Sequence, residues 1–432
     1  MAQAQNLVNA FRASNLSRKL GFTVLMLVIF RLGSHIPIPG VNASVIQSLF
    51  NSQASIFALL NLFSGGATAT LSIFALSIIP YIDASIIMQL LTVVVPQFEE
   101  WSKEGEEGQR KINTWTRWGS VGLGALQSLG VAFYLYRYSS GGRYVLLNHT
   151  LGEMFFVAAM LLVGTVILMW IGEQITDKGI GNGISLLVLF GIVSRIPFGI
   201  NRLVQYVTAG VLSWPKIVIF LVVALIIIAG VVFVNEGQRN IPVQYPKRVV
   251  GRRIYQGHST HLPIRVNQAG VIPVIFAISL LVLPYTVANF AKGSWTILLQ
   301  RYFGITSPVY IGMEFLLVVL FTFFYTQVIF KVDDVADNMK KAGGYIPGIR
   351  PGKPTADYLA RVSARLTLVG AVFLGLVSII PSFITMGMGI PGLYFGGTSL
   401  LIVVGVGLDT LKQIQSHLLM RQYEGFMKRV PE

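Results

Sequence analysis

Residues Ile217 to Val234 read IVIFLVVALIIIAGVVFV, 18 apolar and small residues in a row without a charge. At about 1.5 Å of rise per residue, a helical run of this length approaches the ~30 Å hydrocarbon core of a bilayer. The rest of the chain offers little polar surface to cover it, since 53% of the 432 residues are apolar and only 12% charged. Similar stretches precede it at about 20–38, 73–95, 118–136, 154–171 and 184–200, and follow it at about 269–288, 311–330, 366–384 and 393–410. Together they predict an all-α polytopic membrane protein of ten transmembrane helices, with both termini on one face.

The charges orient it. Of 33 Lys and Arg, 25 fall in segments on the side of the termini and seven, Arg195 among them, on the other, with Arg31 inside the first span. Cytosolic loops carry such an excess, so both termini are expected in the cytosol. The same asymmetry accounts for most of the +15 net charge, with anionic lipid as an expected contact and no specific nucleic acid required. Residues 1–19 are polar, with Arg12, Arg18 and Lys19, and are expected to be an uncleaved lead-in. Five spans per half is an odd number, so halves that repeat one another enter the membrane in opposite senses. That predicts two inverted pseudo-symmetric halves, 1–208 (helices 1–5) and 209–432 (helices 6–10).

Chemistry is thin. Without cysteine there is no disulfide, thiolate nucleophile or thiolate metal site. Neither a GxxxxGK loop nor HExxH occurs, and the five histidines, His35, His149, His258, His261 and His417, suggest no metal set. Gly179-Ile180-Gly181-Asn182-Gly183 superficially resembles a nucleotide turn, but it precedes a membrane span instead of following a strand. No enzyme activity, cofactor or metal is expected, and energy for transport must come from a partner.

Between the first two spans, Asn61 to Ser72 reads NLFSGGATATLS. It is uncharged and rich in small residues, and Gly65-Gly66 gives it a hinge. A re-entrant segment and an ordinary outside loop both fit. Ile78 and Ile82, and Ile184 and Val188, are each four apart and share helix faces; periodicity alone does not separate a pore lining from core or lipid-facing packing. Two long basic loops, about 235–268 and 331–365, should project into the cytosol; the second holds the turn-rich Gly343-Gly344-Tyr345-Ile346-Pro347-Gly348-Ile349-Arg350-Pro351-Gly352.

Whole stretches of the chain resemble the SecY family of protein-translocation channels. They include Phe30-Arg31-Leu32-Gly33, Ile36-Pro37-Ile38-Pro39-Gly40, Ser72-Ile73-Phe74-Ala75-Leu76, Gly172-Glu173-Gln174-Ile175-Thr176, Gly179 to Ser185, Ala269-Gly270-Val271-Ile272-Pro273, Pro347 to Gly352 and Phe395 to Ile402. The resemblance implies an hourglass channel in a bacterial inner membrane, passing unfolded polypeptides and releasing hydrophobic segments sideways into lipid. Its waist would be a ring of Ile78, Ile82, Ile184, Val188, Ile275 and Ile402. Its resting plug would be a short helix at about 57–72 that includes Asn61, Phe63, Ser64, Gly65, Gly66, Ala67 and Thr68. Its lateral gate would lie between the second and third spans and the seventh and eighth. Arg252, Arg253 and Arg350 would meet the SecA motor ATPase or the ribosome. Further implied partners are the small subunits SecE and SecG, signal sequences and nascent chains.

Two positions depart from that pattern: Val188 stands where isoleucine is expected, and Asp83 where a small residue is usual. A buried carboxylate there is expected to be a hydrogen-bonded strut turned about 100° from the ring face. A secondary transporter is the alternative class, because inverted five-span halves also describe carriers. Its weakness is the scarcity of intramembrane charge, essentially Arg31, Asp83, Arg195 and Glu314, the last two expected to snorkel at span ends. A membrane-embedded enzyme is weaker still, for want of an acid, base and nucleophile at matching depths.

Overall fold

The computed structural model describes residues 14–42, 45, 46, 61, 64–140, 143–210, 213–245, 248–250, 253–255, 259–290, 302, 304, 307–388 and 397–427. Helix dominates. The helices are α1 (Ser14–Gly33), α2 (Ile79–Val94), α3 (Pro96–Lys103), α4 (Glu106–Arg137), α5 (Leu151–Lys178), α6 (Gly183–Val193), α7 (Ile196–Thr208), α8 (Trp214–Glu236), α9 (Ile272–Phe290), α10 (Pro308–Ile329), α11 (Val332–Lys341), α12 (Lys353–Met388) and α13 (Gly397–Met427). Among the described residues, five stretches are long and apolar enough to cross a bilayer unaided: Leu151–Lys178, Gly183–Thr208, Trp214–Glu236, Pro308–Lys341 and Lys353–Ile384. A sixth is counted if α2 and α3, bent by 97° at Val95, form one span.

Exposure identifies the solvent. On α8 only Ile227 and Val231 are buried, while Val218, Ile219, Leu221, Val222, Leu225 and Ile226 all face outward. In water such a surface would drive aggregation; in hydrocarbon it costs nothing. Trp214, exposed at the first residue of α8, suits the interfacial zone of a bilayer.

Two expected spans change shape. The stretch 73–95 becomes helical only at Ile79, because residues 73–78 continue the turns of 64–72, with Ser77 at φ 56°. Pro80 then occupies the first turn of α2, where its missing N–H leaves nothing unsatisfied. The stretch 184–200 is two helices, parted at Ser194-Arg195. Pro197, in the first turn of α7, cannot donate into a continuous helix and its ring would strike the carbonyl four residues back.

The expectation of an all-α chain also needs correction, because loop 235–268 is built on strands. β3 (Gln238–Gln244) pairs antiparallel with β6 (Ser259–Arg265), and β4 (Arg248–Val250) with β5 (Arg253–Tyr255). A third hairpin, β1 (Ser139–Ser140) with β2 (Arg143–Tyr144), joins α4 to α5. In β3, Ile241 and Val243 are buried and their neighbours exposed, the period-two pattern of a half-covered strand. Their apolar face packs with Ile264, Met339, Ile346, Leu359 and Val362. Gln244 and Tyr345 exchange backbone hydrogen bonds of 2.9 Å each way. The two basic loops are therefore one folded unit. Its tip is a turn over Ile346-Pro347-Gly348-Ile349, closed by Ile349 N to Ile346 O at 3.0 Å, with Gly348 at φ 81° where a side chain would be strained.

Candidate functional site

The six apolar residues singled out in the sequence come from four helices, α2, α6, α9 and α13, and reach one place. Ile78, Ile82, Val188, Ile275 and Ile402 belong to a single buried cluster, and Ile184 packs against it, half-buried. Local structure explains the aim of each. Ile78 caps α2, and Ile82 N bonds to Ile78 O at 3.1 Å, so the pair stack one turn apart. Asn182 caps α6 by accepting from Ser185 N at 3.1 Å, which starts the helix at Gly183 and puts Ile184 and Val188 on one face. The glycine-rich run before α6 is thus a capping turn. A Cβ at Gly183 would lie 1.9 Å from the Gly172 carbonyl oxygen, so only glycine lets α6 fold back so closely on α5.

Above this cluster sits the small-residue segment. Ala67, fully buried, is part of the same cluster as Ile78 and Ile82. Ser64, Gly65, Ala67 and Thr68 are buried and Gly66 half-buried, in a chain of turns from 64 to 71. The segment is knitted internally: Ser64 Oγ lies 2.8 Å from Thr68 Oγ1, Thr68 Oγ1 donates to Ala75 O at 2.7 Å, and Ala69 N donates to Asn61 Oδ1 at 3.2 Å. Phe63, residue 62 and residues 57–60 lie outside the described residues.

The four charged groups singled out inside the spans each have a hydrogen-bond partner. Asp83, buried on α2, accepts from Gln127 Nε2 of α4 at 2.9 Å, and the Ser279 hydroxyl of α9 supplies a second hydrogen bond. One carboxylate thus ties three helices, α9 coming from the other half of the chain. Glu314 does not snorkel: it is buried on α10, within hydrogen-bond reach of Ser378 on α12. Nor does Arg195, whose Nη1 donates to Asn61 O at 3.1 Å, while Arg31 Nη1 donates to Gly65 O at 2.8 Å. Gln127, Ser279 and Ser194 drew no attention in the sequence. Their only signal was polarity inside apolar runs, which does not reveal partners.

On the basic face, Arg350 is exposed beside the Pro347-Gly348 turn and Arg253 lies on β5; Arg252 lies outside the described residues. Nearby on α3, the Lys103 ammonium hydrogen-bonds the Glu99 carboxylate at 2.7 Å and holds it below its ordinary range. Among the described residues no three His, Asp or Glu side chains converge as a metal site.

Comparison with known proteins places this geometry. The SecY family matches residues 72–411. The protein translocase subunit SecY of Halalkalibacterium halodurans is 48% identical, covering 97% of this chain and 99% of its own. That of Streptomyces galbus is 46% identical, covering 97% and 98%. Among solved structures, a SecY whose plug domain stabilises the closed state of the translocation channel and maintains a membrane seal superposes with TM-score 0.66 at 19% identity, covering 98% of this chain and 96% of that one. Sec61 in a canine ribosome–channel complex from the endoplasmic reticulum superposes at 0.60 with 18% identity, covering 97% and 95%.

Proposed function

The chain belongs to the SecY family, and on that premise we propose how its helices conduct a polypeptide. It is the pore subunit of a protein translocase, a membrane channel without catalytic chemistry of its own, which passes unfolded chains across the membrane and releases hydrophobic segments into lipid. Ten spans in two inverted halves, 1–208 and 209–432, enclose a waist formed by Ile78, Ile82, Ile184, Val188, Ile275 and Ile402. A narrow ring of branched apolar side chains resists wetting and grips nothing in particular. It therefore blocks ions while tolerating any passing sequence, where polar contacts would stall the substrate.

The observation that carries this reading is the convergence of all six side chains on one cluster with Ala67 seated in it. The segment from Asn61 to Ser72 is the plug, covering the waist from outside. The lateral gate opens where α9 meets α2 and α4, and signal sequences and membrane helices leave there. The unit built from β3, β6, α11 and the 343–352 tip receives the ribosome and the SecA motor through Arg252, Arg253 and Arg350, aided by anionic lipid. SecE and SecG complete the complex, in a bacterial inner membrane with both termini cytosolic.

A carrier needs carboxylates free to bind a coupling ion, whereas Asp83 and Glu314 are buried against neutral partners on adjoining helices. The test is a photocrosslinker at Ile402 and, in a second variant, at outward-facing Leu225. With a stalled preprotein in transit, crosslinks from Ile402 and none from Leu225 are expected. Equal yields at both, or none at Ile402, would remove the ring from the pathway.

A further inference from the structure

The plug segment is fastened differently at its two ends. At its C-terminal end it is bonded through backbone to the loop after α1: Ile38 N donates to Leu71 O at 3.1 Å and Ile73 N to Ile36 O at 3.2 Å, flanking the Pro37–Ser72 bridge. At its N-terminal end two arginines reach it. Arg31, near the end of α1, donates to Gly65 O at 2.8 Å, and Arg195, at the break between α6 and α7, donates to Asn61 O at 3.1 Å. Both acceptors are backbone carbonyls, so the grip does not depend on plug side chains.

The same site joins α1 to α6. Arg31 Nη1 also donates to Ser194 Oγ at 3.3 Å, and that hydroxyl donates to Gly191 O at 2.8 Å. Gly65, at φ 65°, lies so close to this helix end that a Cβ would sit 3.2 Å from Gly191 Cα and 3.0 Å from Ser194 Oγ. α6 is the helix carrying Ile184 and Val188.

We propose that Arg31 and Arg195 form a latch that holds the Asn61–Gly65 part of the plug, and that displacement of α6 relative to α1 releases it while the Leu71–Ile73 end remains tethered. The plug then swings on that tether and leaves the waist. A chain that widens the ring by pushing Ile184 and Val188 outward moves Ser194 and Arg195 with them, so filling of the pore and departure of the plug become one event. This inference rests on the plug reading above.

The chain lacks native cysteine, so one introduced thiol reports on the plug alone. Ala67→Cys places it in the buried seat of the plug, and Ala371→Cys, equally buried on α12, reports general loosening. In reconstituted full-length protein, labelling by a membrane-impermeant maleimide is measured with Arg31→Gln and with Arg195→Gln. Loss of a hydrogen bond to a charged group is expected to speed labelling at Ala67→Cys by about tenfold or more, with Ala371→Cys unchanged. Arg31→Lys, which keeps a point charge without the planar fork, should fall between. Unchanged labelling at Ala67→Cys, or parallel acceleration at both positions, overturns the latch. Deletion of residues 64–70 is the separate control on the plug: if it leaves resting ion leak unaltered, the plug reading itself fails, whereas a leak on deletion with no effect of either arginine variant rejects the latch alone.

Discussion

Residues 14–208 and 214–427 meet along two seams, one apolar throughout and one that sets a buried polar group among apolar contacts. At one, α6 packs on α13, and the side chains turned into the shared cluster are Leu186, Leu187, Val188 and Ile192 against Leu401, Ile402 and Val406. At the other, α9 packs on α2 and α4, and Asp83, Gln127 and Ser279 form a hydrogen-bonded set across the three helices. An apolar seam in lipid is held by packing alone, because lipid tails are as apolar as the partner helix. A polar seam resists opening to hydrocarbon, since a separated Asp83 would lie unpaired where no water reaches. The difference teaches which side can work as a gate: one that stays shut until a substrate or water replaces the bonds it breaks.

The contrast can be broken from either side. The largest effect is expected at the apolar seam, where Ile402→Ala empties a fully buried site and should destabilise the purified protein by about 3 kcal/mol. Thermal denaturation in detergent measures it, and a change below ~1 kcal/mol would mean that tight packing does not hold this seam. At the polar seam Gln127→Leu leaves Asp83 short of a donor and should cost about 2 kcal/mol in the same assay. A neutral result would detach Gln127 from the seam's stability. Smallest is Asp83→Asn, which keeps an acceptor oxygen for Gln127. It should change thermal stability more than resting ion leak, and a large rise in leak at unchanged stability would place Asp83 in the pore lining and sink its role as a strut.

Much of this was legible in the sequence, for reasons that also mark the limit. The spans could be read because hydrocarbon demands long apolar runs, and every expected run holds a helix. The breaks were harder: the parting at Ser194-Arg195 follows from Pro197, but its use depends on contact with Gly65 and Asn61, more than a hundred residues away. That is why Arg195 read as a snorkelling end charge. Glu314 misled in the same way, because its distance from a span end says nothing of Ser378 on another helix.

Within the site, spacing alone paired Ile78 with Ile82 and Ile184 with Val188. Ile275 and Ile402 have no such local signal and came only with the family resemblance. The basic loops were visible as loops, but not their union, since the Gln244–Tyr345 pairing joins segments 101 residues apart. The alternation of Ile241 and Val243 was a strand signal, weakened by Pro242 between them; proline is tolerated there because a two-stranded ladder is all edge.

The central claim is that this chain is the passage itself. Its most direct test is reconstitution in vesicles with SecE and SecG, followed by addition of a purified preprotein, SecA and ATP. The preprotein is expected to become protease-protected only when both motor and nucleotide are present. Absence of protection, with all partners shown to be bound, would contradict the claim.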